Sequence, residues 1–205
     1  MPNKSICIKQ KYKNGKTSII SYVNDCGQKH NTNGSACTQF YENGKLMLVS
    51  FMINGELHRP KLPALIKYYQ NGNTEQELYY MNGKNHRIDG PAIINYYENG
   101  KINQCTYYLN GLKHNMNKPS NSYDDDGKIL TSEYFVNGLY HRDSGPAYIS
   151  YHKNGSIKYK SYYKNGKCHN QNGPAKIWFD ENGKMLKCEY YTCGRQVKNK
   201  IKSII

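Results

Sequence analysis

Six of the seven histidines in this chain recur at intervals of 27 or 28 residues, at His30, His58, His86, His114, His141 and His169. Imidazole binds metals and titrates near neutral pH, so a metal ladder or a pH switch is one interpretation. Equivalent positions two strands apart lie about 9.6 Å apart, whereas a Zn–N bond is about 2 Å long. One ion cannot bridge them, and we predict instead a structural histidine that bonds its own turn.

A second candidate is a calcium-binding loop formed by Ser122, Asp124, Asp126 and Glu133. Their spacing satisfies most of the EF-hand pattern. The first position is Ser instead of Asp, however, and the flanking segments have the pattern of strands and not of helices. Since Asp126 is also part of a turn that recurs along the chain, we interpret the match as a turn, and we predict no metal.

The sequence contains no recognisable motif of an enzyme active site. There is no phosphate-binding glycine loop, no G-x-S-x-G elbow and no arrangement of paired carboxylates. Ser, His and Asp are present, but they are repeated in the same context along the chain. We therefore predict that the protein is not an enzyme and that it needs no cofactor.

The chain of 205 residues repeats with a period of about 28. The glycines of a first turn in each unit are Gly15, Gly44, Gly72, Gly100, Gly127, Gly155 and Gly183. A second turn follows eleven residues after each of the last six. A period in this range is typical of repeat arrays. We predict one continuous array over residues 1–194 and a basic C-terminal cap or tail over residues 195–205.

Each unit has the pattern of a β-hairpin. Asn-Gly favours a type I′ turn, because both of its residues accept positive φ. The flanking residues alternate, so that Ala147, Ile149 and Tyr151 face one way. An aromatic pair such as Tyr162-Tyr163 recurs after the first turn, and we expect its members to face opposite sides of a strand. The predicted fold is all-β: an elongated single-sheet antiparallel β-meander of about seven 28-residue repeats, with two or three strands per repeat.

Two places depart from the regular unit. The first strand, near Ile6 to Tyr12, is predicted to be an open edge guarded by lysines such as Lys9 and Lys11. Residues 115–119 replace the usual His-Arg-x-Asp-Gly-Pro context, and one residue is missing before Gly127. We expect a kink or weaker strand pairing there.

Residues 80–92 read Tyr-x-Asn-Gly-x-x-His-Arg-x-Asp-Gly-Pro-Ala. The Gly-Pro step of this signature is repeated at Gly90-Pro91, Gly145-Pro146 and Gly173-Pro174. The motif resembles MORN-type repeats, in particular the second MORN class, which includes the antitoxin-like YwqK proteins. Its His-Arg-x-Asp-Gly-Pro-Ala variant is similar to repeats of Mimivirus-like giant-virus proteins. The resemblance implies an elongated β-sheet that contacts proteins or membrane surfaces, without catalysis.

Charge and cysteine content restrict the partners and the compartment. The net charge of +14 favours acidic partners, but the lysines follow turns in every unit, so we expect polyanion binding to be weak and salt-sensitive. Seven cysteines without a C-x-x-C pair indicate reduced thiols and an intracellular protein. Residues 1–10 contain no apolar core of a signal peptide, so secretion is not expected. No apolar stretch approaches 18 residues, so a transmembrane segment is not expected either.

The function predicted first is a non-catalytic repeat scaffold for protein–protein interaction, in a virion or between virus and host. If the protein is viral, it would act in the host cytoplasm or the virion. One alternative is a basic surface that binds nucleic acid, by base stacking on tyrosines, or anionic membrane. Another alternative, implied by the resemblance alone, is an antitoxin-like immunity protein.

Overall fold

The chain forms two compact units, Met1–Leu112 and Lys113–Ile205, and the computed structural model describes residues 5–115 and 118–197. The strands that begin in unit 1 are β1 Ile6–Lys11, β2 Thr17–Val23, β3 Cys37–Phe40, β4 Leu46–Ser50, β5 Met52–Ile53, β6 Glu56–Leu57, β7 Leu65–Tyr68, β8 Thr74–Leu78, β9 Tyr80–Met81, β10 Lys84–Asn85, β11 Ile93–Tyr96, β12 Ile102–Thr106, β13 Tyr108–Leu109 and β14 Leu112–Lys113. The longer strands pair in the order β1-β2-β3-β4-β7-β8-β11-β12. The two-residue strands form separate short hairpins, such as β5 with β6.

Unit 2 follows the same plan. Its strands are β15 Ser120–Tyr123, β16 Ile129–Glu133, β17 Phe135–Val136, β18 Leu139–Tyr140, β19 Tyr148–Tyr151, β20 Ile157–Ser161, β21 Tyr163–Lys164, β22 Lys167–Cys168, β23 Lys176–Phe179, β24 Met185–Thr192 and β25 Arg195–Val197. The longer strands pair in the order β15-β16-β19-β20-β23-β24-β25. Each regular repeat therefore adds two long antiparallel strands to the sheet and one short hairpin beside it.

The predicted all-β antiparallel meander is confirmed. Long strands that follow each other along the chain are neighbours in the sheet, as in β19, which pairs with β16 on one side and β20 on the other. No residue in the described ranges is helical. A single array over residues 1–194 stays a prediction.

The two turns of a repeat differ, although in most repeats both read Asn-Gly. In the second turn both residues have positive φ, +49° at Asn82 and +70° at Gly83, as type I′ requires. In the first turn only the glycine does, as at Gly44 with φ +90°. The prediction of type I′ is therefore wrong for the first turn. Three residues close that loop, and the Asn43 Oδ1 accepts the Lys45 N–H at 2.9 Å, which favours a type I turn with a bulge.

The aromatic pair is also placed differently from the prediction. Tyr162 lies between the end of β20 and the start of β21, and only Tyr163 belongs to a strand. The strand order is interrupted between these two rings, so they do not alternate along one strand. In the last repeat, by contrast, Tyr190 and Tyr191 both lie within β24. In three other repeats the first ring, that of Phe51, Tyr79 or Tyr134, packs under the arginine that follows the histidine. The second residue of the pair begins the short hairpin.

The core consists of small buried side chains that occupy the same position in successive repeats. One such position is an alanine that follows a proline or, at Ala36, a serine; it is fully buried at Ala36, Ala64, Ala92, Ala147 and Ala175. The Ala92 N–H donates to the Thr106 carbonyl at 2.9 Å, and its carbonyl accepts the Tyr79 N–H at 2.8 Å. The backbone of Ala92 is thus bonded to both neighbouring strands, and the equivalent position after Pro119 carries another small buried residue, Ser120.

The ends of the chain and the irregular fifth repeat lie partly outside the described residues. Arg195–Val197, assigned above to the tail, forms β25, in which Gln196 pairs with Tyr191. Residues 198–205 lie outside the described ranges. So does Lys4, one of the lysines near the first strand. Met116 and Asn117 are outside too, so the kink expected at residues 115–119 stays a prediction.

Candidate functional site

Each signature histidine bonds to the second turn of the following repeat. Its Nδ1 accepts a backbone N–H in six pairs, His30–Asn54 at 3.1 Å, His58–Asn82 at 3.2 Å, His86–Asn110 at 3.2 Å, His114–Asn137 at 3.4 Å, His141–Asn165 at 3.0 Å and His169–Cys193 at 3.2 Å. The prediction that each histidine braces its own turn is therefore wrong. The short hairpin of each repeat lies beside that of the next repeat, so the histidine meets the next second turn. The spacing of residues in the sequence does not reveal which turn a histidine contacts.

The residue after the histidine binds the Gly-Pro step. Arg87 Nη1 donates to the Pro91 carbonyl at 3.3 Å, and its guanidinium carbon lies 3.9 Å from the Tyr79 ring centroid. Arg142 repeats this with Pro146 at 3.4 Å and Tyr134 at 3.8 Å. This role was not predicted, although the sequence contains its signal. Ring, Arg and Pro follow each other at fixed intervals of eight and four residues.

The signature glycines leave space for that arginine. A Cβ added to Gly90 would lie 2.9 Å from the Arg87 Cζ, and one added to Gly145 would lie 3.3 Å from the Arg142 Nη1. At Gly173-Pro174 an asparagine replaces the arginine, and Asn170 Nδ2 donates to the Pro174 carbonyl at 2.9 Å. The Gly-Pro signature is thus explained by contacts within the chain.

The residues of the calcium-like pattern take part in separate contacts. Ser122 Oγ lies 2.6 Å from Thr131 Oγ1, and Asp124 Oδ1 accepts the backbone N–H groups of Asp126 and Lys128 at 3.1 and 2.8 Å. Glu133 Oε1 accepts the Tyr140 hydroxyl at 2.6 Å. Within residues 5–115 and 118–197, no three His, Cys, Asp or Glu side chains are grouped as a metal site would require.

A row of side chains across the long strands is not fixed by the repeat signature. In unit 1 it consists of directly paired residues on six strands, Gln39, Leu48, Lys67, Gln76, Asn95 and Gln104. Gln76 Nε2 donates to Asn95 Oδ1 at 2.7 Å, and Asn95 Nδ2 donates to Gln104 Oε1 at 3.2 Å. We call this the unit 1 row. Much of it is an amide ladder.

The same positions in unit 2 carry hydroxyl, aromatic and ammonium groups. The unit 2 row consists of Ser122, Thr131, Ser150, Tyr159, Trp178 and Lys187. The rings of Tyr159 and Trp178 lie 4.9 Å apart, and the Tyr148 ring lies 5.9 Å from Tyr159. Lys187 Nζ lies 4.8 Å from the Trp178 centroid and 2.6 Å from Glu189 Oε1. These rings are half-buried, so each presents an edge or face to solvent.

The tyrosines in and beside this row carry neutral hydroxyls at neutral pH. Burial is the main cause that raises the pKa values of Tyr148 and Tyr159. Burial, together with the hydrogen bond to Glu133, raises the pKa of Tyr140 well above its ordinary value. The unit 2 row therefore offers apolar ring surface with uncharged hydroxyl groups, which suits adhesion to a partner more than acid–base chemistry.

The MORN repeat variant family matches three segments of the chain, residues 36–54, 93–110 and 147–165. Each segment contains a complete long hairpin of the sheet and reaches into the second turn. These matches support a MORN-type repeat protein. No curated protein matches the chain. No helix among the described residues is long and apolar enough to cross a membrane.

Among solved structures, the chain is similar to alternansucrase in complex with isomaltononaose, at 17% sequence identity over 93% of this chain. The chain spans 16% of that protein, and the TM-score is 0.19. A TM-score this low carries no argument about fold or function.

Proposed function

We propose that this chain is a non-catalytic repeat scaffold that binds another protein through the unit 2 row. One observation carries the proposal. The signature His, Arg and Gly-Pro residues bond to other residues of the chain. The row across the long strands, by contrast, contains bonded amides in unit 1 and aromatic rings in unit 2. Repeat proteins commonly combine a constant frame with a variable surface of this kind.

The chemistry of the row supports a protein partner. Trp and Tyr are enriched among the residues that dominate binding energy at protein interfaces. Tyr159 and Trp178 already contact each other, so little side-chain entropy remains to be lost when a partner binds. Adjacent hydroxyls such as Ser150 and Thr131 supply hydrogen-bonding groups at the same level of the sheet.

A matched pair of variants tests this proposal. Tyr159→Gln with Trp178→Asn copies the Gln76–Asn95 pair of unit 1, which occupies the equivalent strands and is bonded at 2.7 Å. The frame should therefore remain folded while the aromatic surface is removed. The control, Gln76→Ala with Gln104→Ala, alters only the unit 1 row.

The measurement is affinity capture with the full chain at 150 mM salt after nuclease treatment, quantified by mass spectrometry. We expect proteins enriched by the parent and by the control to be lost with Tyr159→Gln/Trp178→Asn. The expected fall in affinity for such a protein is at least about 30-fold, the effect of removing one interface hot spot of about 2 kcal/mol. Equal enrichment of the same proteins by all three chains would refute the proposal that the unit 2 row is the binding surface.

The charge of the chain favours polyanion binding as a second candidate. Several cations, however, lie over rings of the chain itself, such as Lys160 over Phe179 and Lys176 over Tyr191. We expect weak binding of labelled single-stranded DNA and anionic vesicles at 50 mM salt that disappears near 150 mM. Selective binding below about 1 µM at 150 mM salt would favour this second function instead.

Two narrower proposals rest on the resemblance of the signature to known repeats. The His-Arg-x-Asp-Gly-Pro-Ala variant favours a viral scaffold in the virion or host cytoplasm, and seven cysteines without a C-x-x-C pair are in keeping with a reducing compartment. The antitoxin-like alternative predicts a toxin among the captured proteins. The mass-spectrometric identities distinguish the two, because one predicts virion or host proteins and the other a toxin.

A further inference from the structure

Three signature arginines cover the aromatic ring that lies eight residues before them. Their guanidinium carbons lie 3.6, 3.9 and 3.8 Å from the ring centroids, in the pairs Arg59–Phe51, Arg87–Tyr79 and Arg142–Tyr134. In each loop Nη1 also donates to the carbonyl of the proline four residues later, at 3.2, 3.3 and 3.4 Å. A ring face and a proline carbonyl thus form a seat for a guanidinium group, and we call this arrangement the arginine seat.

A fourth arginine seat, in unit 2, has no arginine of its own. Asn170 follows the signature histidine there, and the ring eight residues earlier is Tyr162. The Asn170 Nδ2 donates to the Pro174 carbonyl at 2.9 Å, as Nη1 of an arginine does in the other loops. An amide carries no positive charge, however, and no cation of the described residues lies over the Tyr162 ring. The carbonyl of this seat is satisfied, whereas its ring is not covered by a cation.

The glycine of this loop leaves space for a larger group. A Cβ added to Gly90 would lie 2.9 Å from the Arg87 Cζ. A Cβ added to Gly173 would have the Asn170 Nδ2 as its nearest neighbour, at 3.8 Å. The side chain beside Gly173 is therefore packed more loosely than the guanidinium beside Gly90. The loop has the glycine that an arginine requires, without the arginine.

The uncovered ring lies in a groove with hydrogen-bond acceptors. Tyr162 is half-buried, and it lines the groove together with Asn172 and Asp143. Asn172 occupies the position of Asp89, whose carboxylate accepts the Arg87 Nε at 2.8 Å. The groove thus offers a ring face, an amide oxygen and a carboxylate, which match the flat face and the N–H donors of a guanidinium.

Two cations, Arg142 and Lys164, border the same groove. Arg142 already fills its own seat, and Lys164 is exposed. In unit 1 Arg59 and Arg87 fill the seats of two successive repeats, so the frame accommodates neighbouring guanidinium groups. Exposed charges are also screened over about 8 Å at physiological ionic strength. Repulsion therefore does not close the seat to a further guanidinium.

We propose that the arginine seat at Tyr162 binds an arginine side chain of a partner protein. The incoming guanidinium stacks on the ring and donates to Asn172 and Asp143. Arginine is preferred to lysine because its planar, weakly hydrated group stacks on aromatic faces. The seat shares no residue with the unit 2 row, so this inference goes beyond the proposed function and does not depend on it.

Binding of short blocked peptides to the full chain, followed by NMR, tests this proposal. The probe is acetyl-Gly-Arg-Gly-amide, and the comparison peptides carry lysine or glutamate in place of arginine. We expect the arginine peptide to shift the Tyr162 ring signals in a saturable way and to bind about three-fold or more tightly than the lysine peptide. Higher salt should not weaken this binding, since salt screens the repulsion from Arg142 and Lys164.

Two variants remove the seat. Asn170→Arg supplies the missing side chain from within the chain and should weaken peptide binding by about ten-fold or more, because an intramolecular group then competes for the ring. Tyr162→Leu removes the ring and should weaken binding by about three-fold or more. The control is Asn31→Arg. Asn31 also follows a signature histidine and bonds the Ser35 carbonyl at 2.9 Å, but the residue eight positions earlier is Val23, so peptide binding should not change.

The same titration with Tyr159→Gln/Trp178→Asn separates the seat from the unit 2 row, and we expect unchanged peptide binding. Equal affinity for the arginine and lysine peptides, tighter binding of the glutamate peptide, or unchanged affinity in Asn170→Arg would each overturn the proposal. So would a titration without saturable shifts at Tyr162.

Discussion

The row across the long strands differs between the two units, although the strands beneath it are equivalent. In unit 1 Gln76 and Asn95 share a hydrogen bond of 2.7 Å, and in unit 2 Tyr159 and Trp178 share a ring contact of 4.9 Å. The buried alanines Ala92 and Ala147, and the bonds from second-turn N–H groups to His86 and His141, occur in both units. Amides and rings can therefore occupy one position because the frame is stabilised elsewhere, by contacts that do not involve the row.

The largest expected effect comes from replacing a buried alanine of the frame in either unit. Ala92 in unit 1 and Ala147 in unit 2 are both fully buried. Leucine at either position overpacks the core, so Ala92→Leu and Ala147→Leu should each lower the free energy of unfolding by about 1–3 kcal/mol. Urea unfolding measures the effect. If one unit tolerates leucine and the other does not, the two frames are not equivalent.

Prediction succeeded for local patterns and failed for contacts between residues distant in the sequence, in the frame as well as in the row. The period, the hairpins and the all-β meander followed from Asn-Gly spacing and alternation, since these are local patterns. The partner of His86 did not follow, because the turn it bonds is 24 residues away. Nor did the row around Tyr159 and Trp178, since strand register brings together residues that share no repeated motif.

A smaller effect is expected from breaking the amide ladder of unit 1. Asn95→Ala removes two hydrogen bonds, to Gln76 and Gln104. Because these side chains are only half-buried and water replaces part of the loss, we expect a decrease of about 1 kcal/mol. Ser150→Ala, at the equivalent strand position of unit 2, is the control and should lie within about 0.5 kcal/mol of the parent. Thermal unfolding of the three chains provides the comparison.

The smallest effect expected is the contribution of buried tyrosines to the free energy of unfolding at alkaline pH. Burial, with Glu77 nearby, raises the pKa of Tyr96 in unit 1 to about 12, and that of Tyr140 in unit 2 is raised as well. A raised phenol pKa favours the neutral ring in the folded state. Its contribution is therefore complete below the ordinary value of 10.0 and is lost as pH rises towards about 12.

Phenylalanine variants check this expectation. Tyr96→Phe and Tyr140→Phe should each flatten the decline in unfolding free energy between pH 10 and 12, because the variant ring cannot ionise. Tyr41→Phe serves as the control, since its hydroxyl binds the Tyr68 carbonyl at 2.7 Å and has no carboxylate partner in that bond. If the unfolding free energy declines equally steeply with pH in the parent and both test variants, ionisation of these phenols does not contribute to the decline.

The central claim is that the unit 2 row, and not the frame or the net charge, contacts the partner. Hydroxyl-radical footprinting of the chain, alone and with a protein recovered by capture, measures this directly because Trp, Tyr and Leu side chains all react. The account predicts lower reactivity at Tyr159 and Trp178 in the complex and unchanged reactivity at Leu48 in the unit 1 row. Unchanged reactivity at Tyr159 and Trp178, with protection elsewhere on the chain, would contradict it.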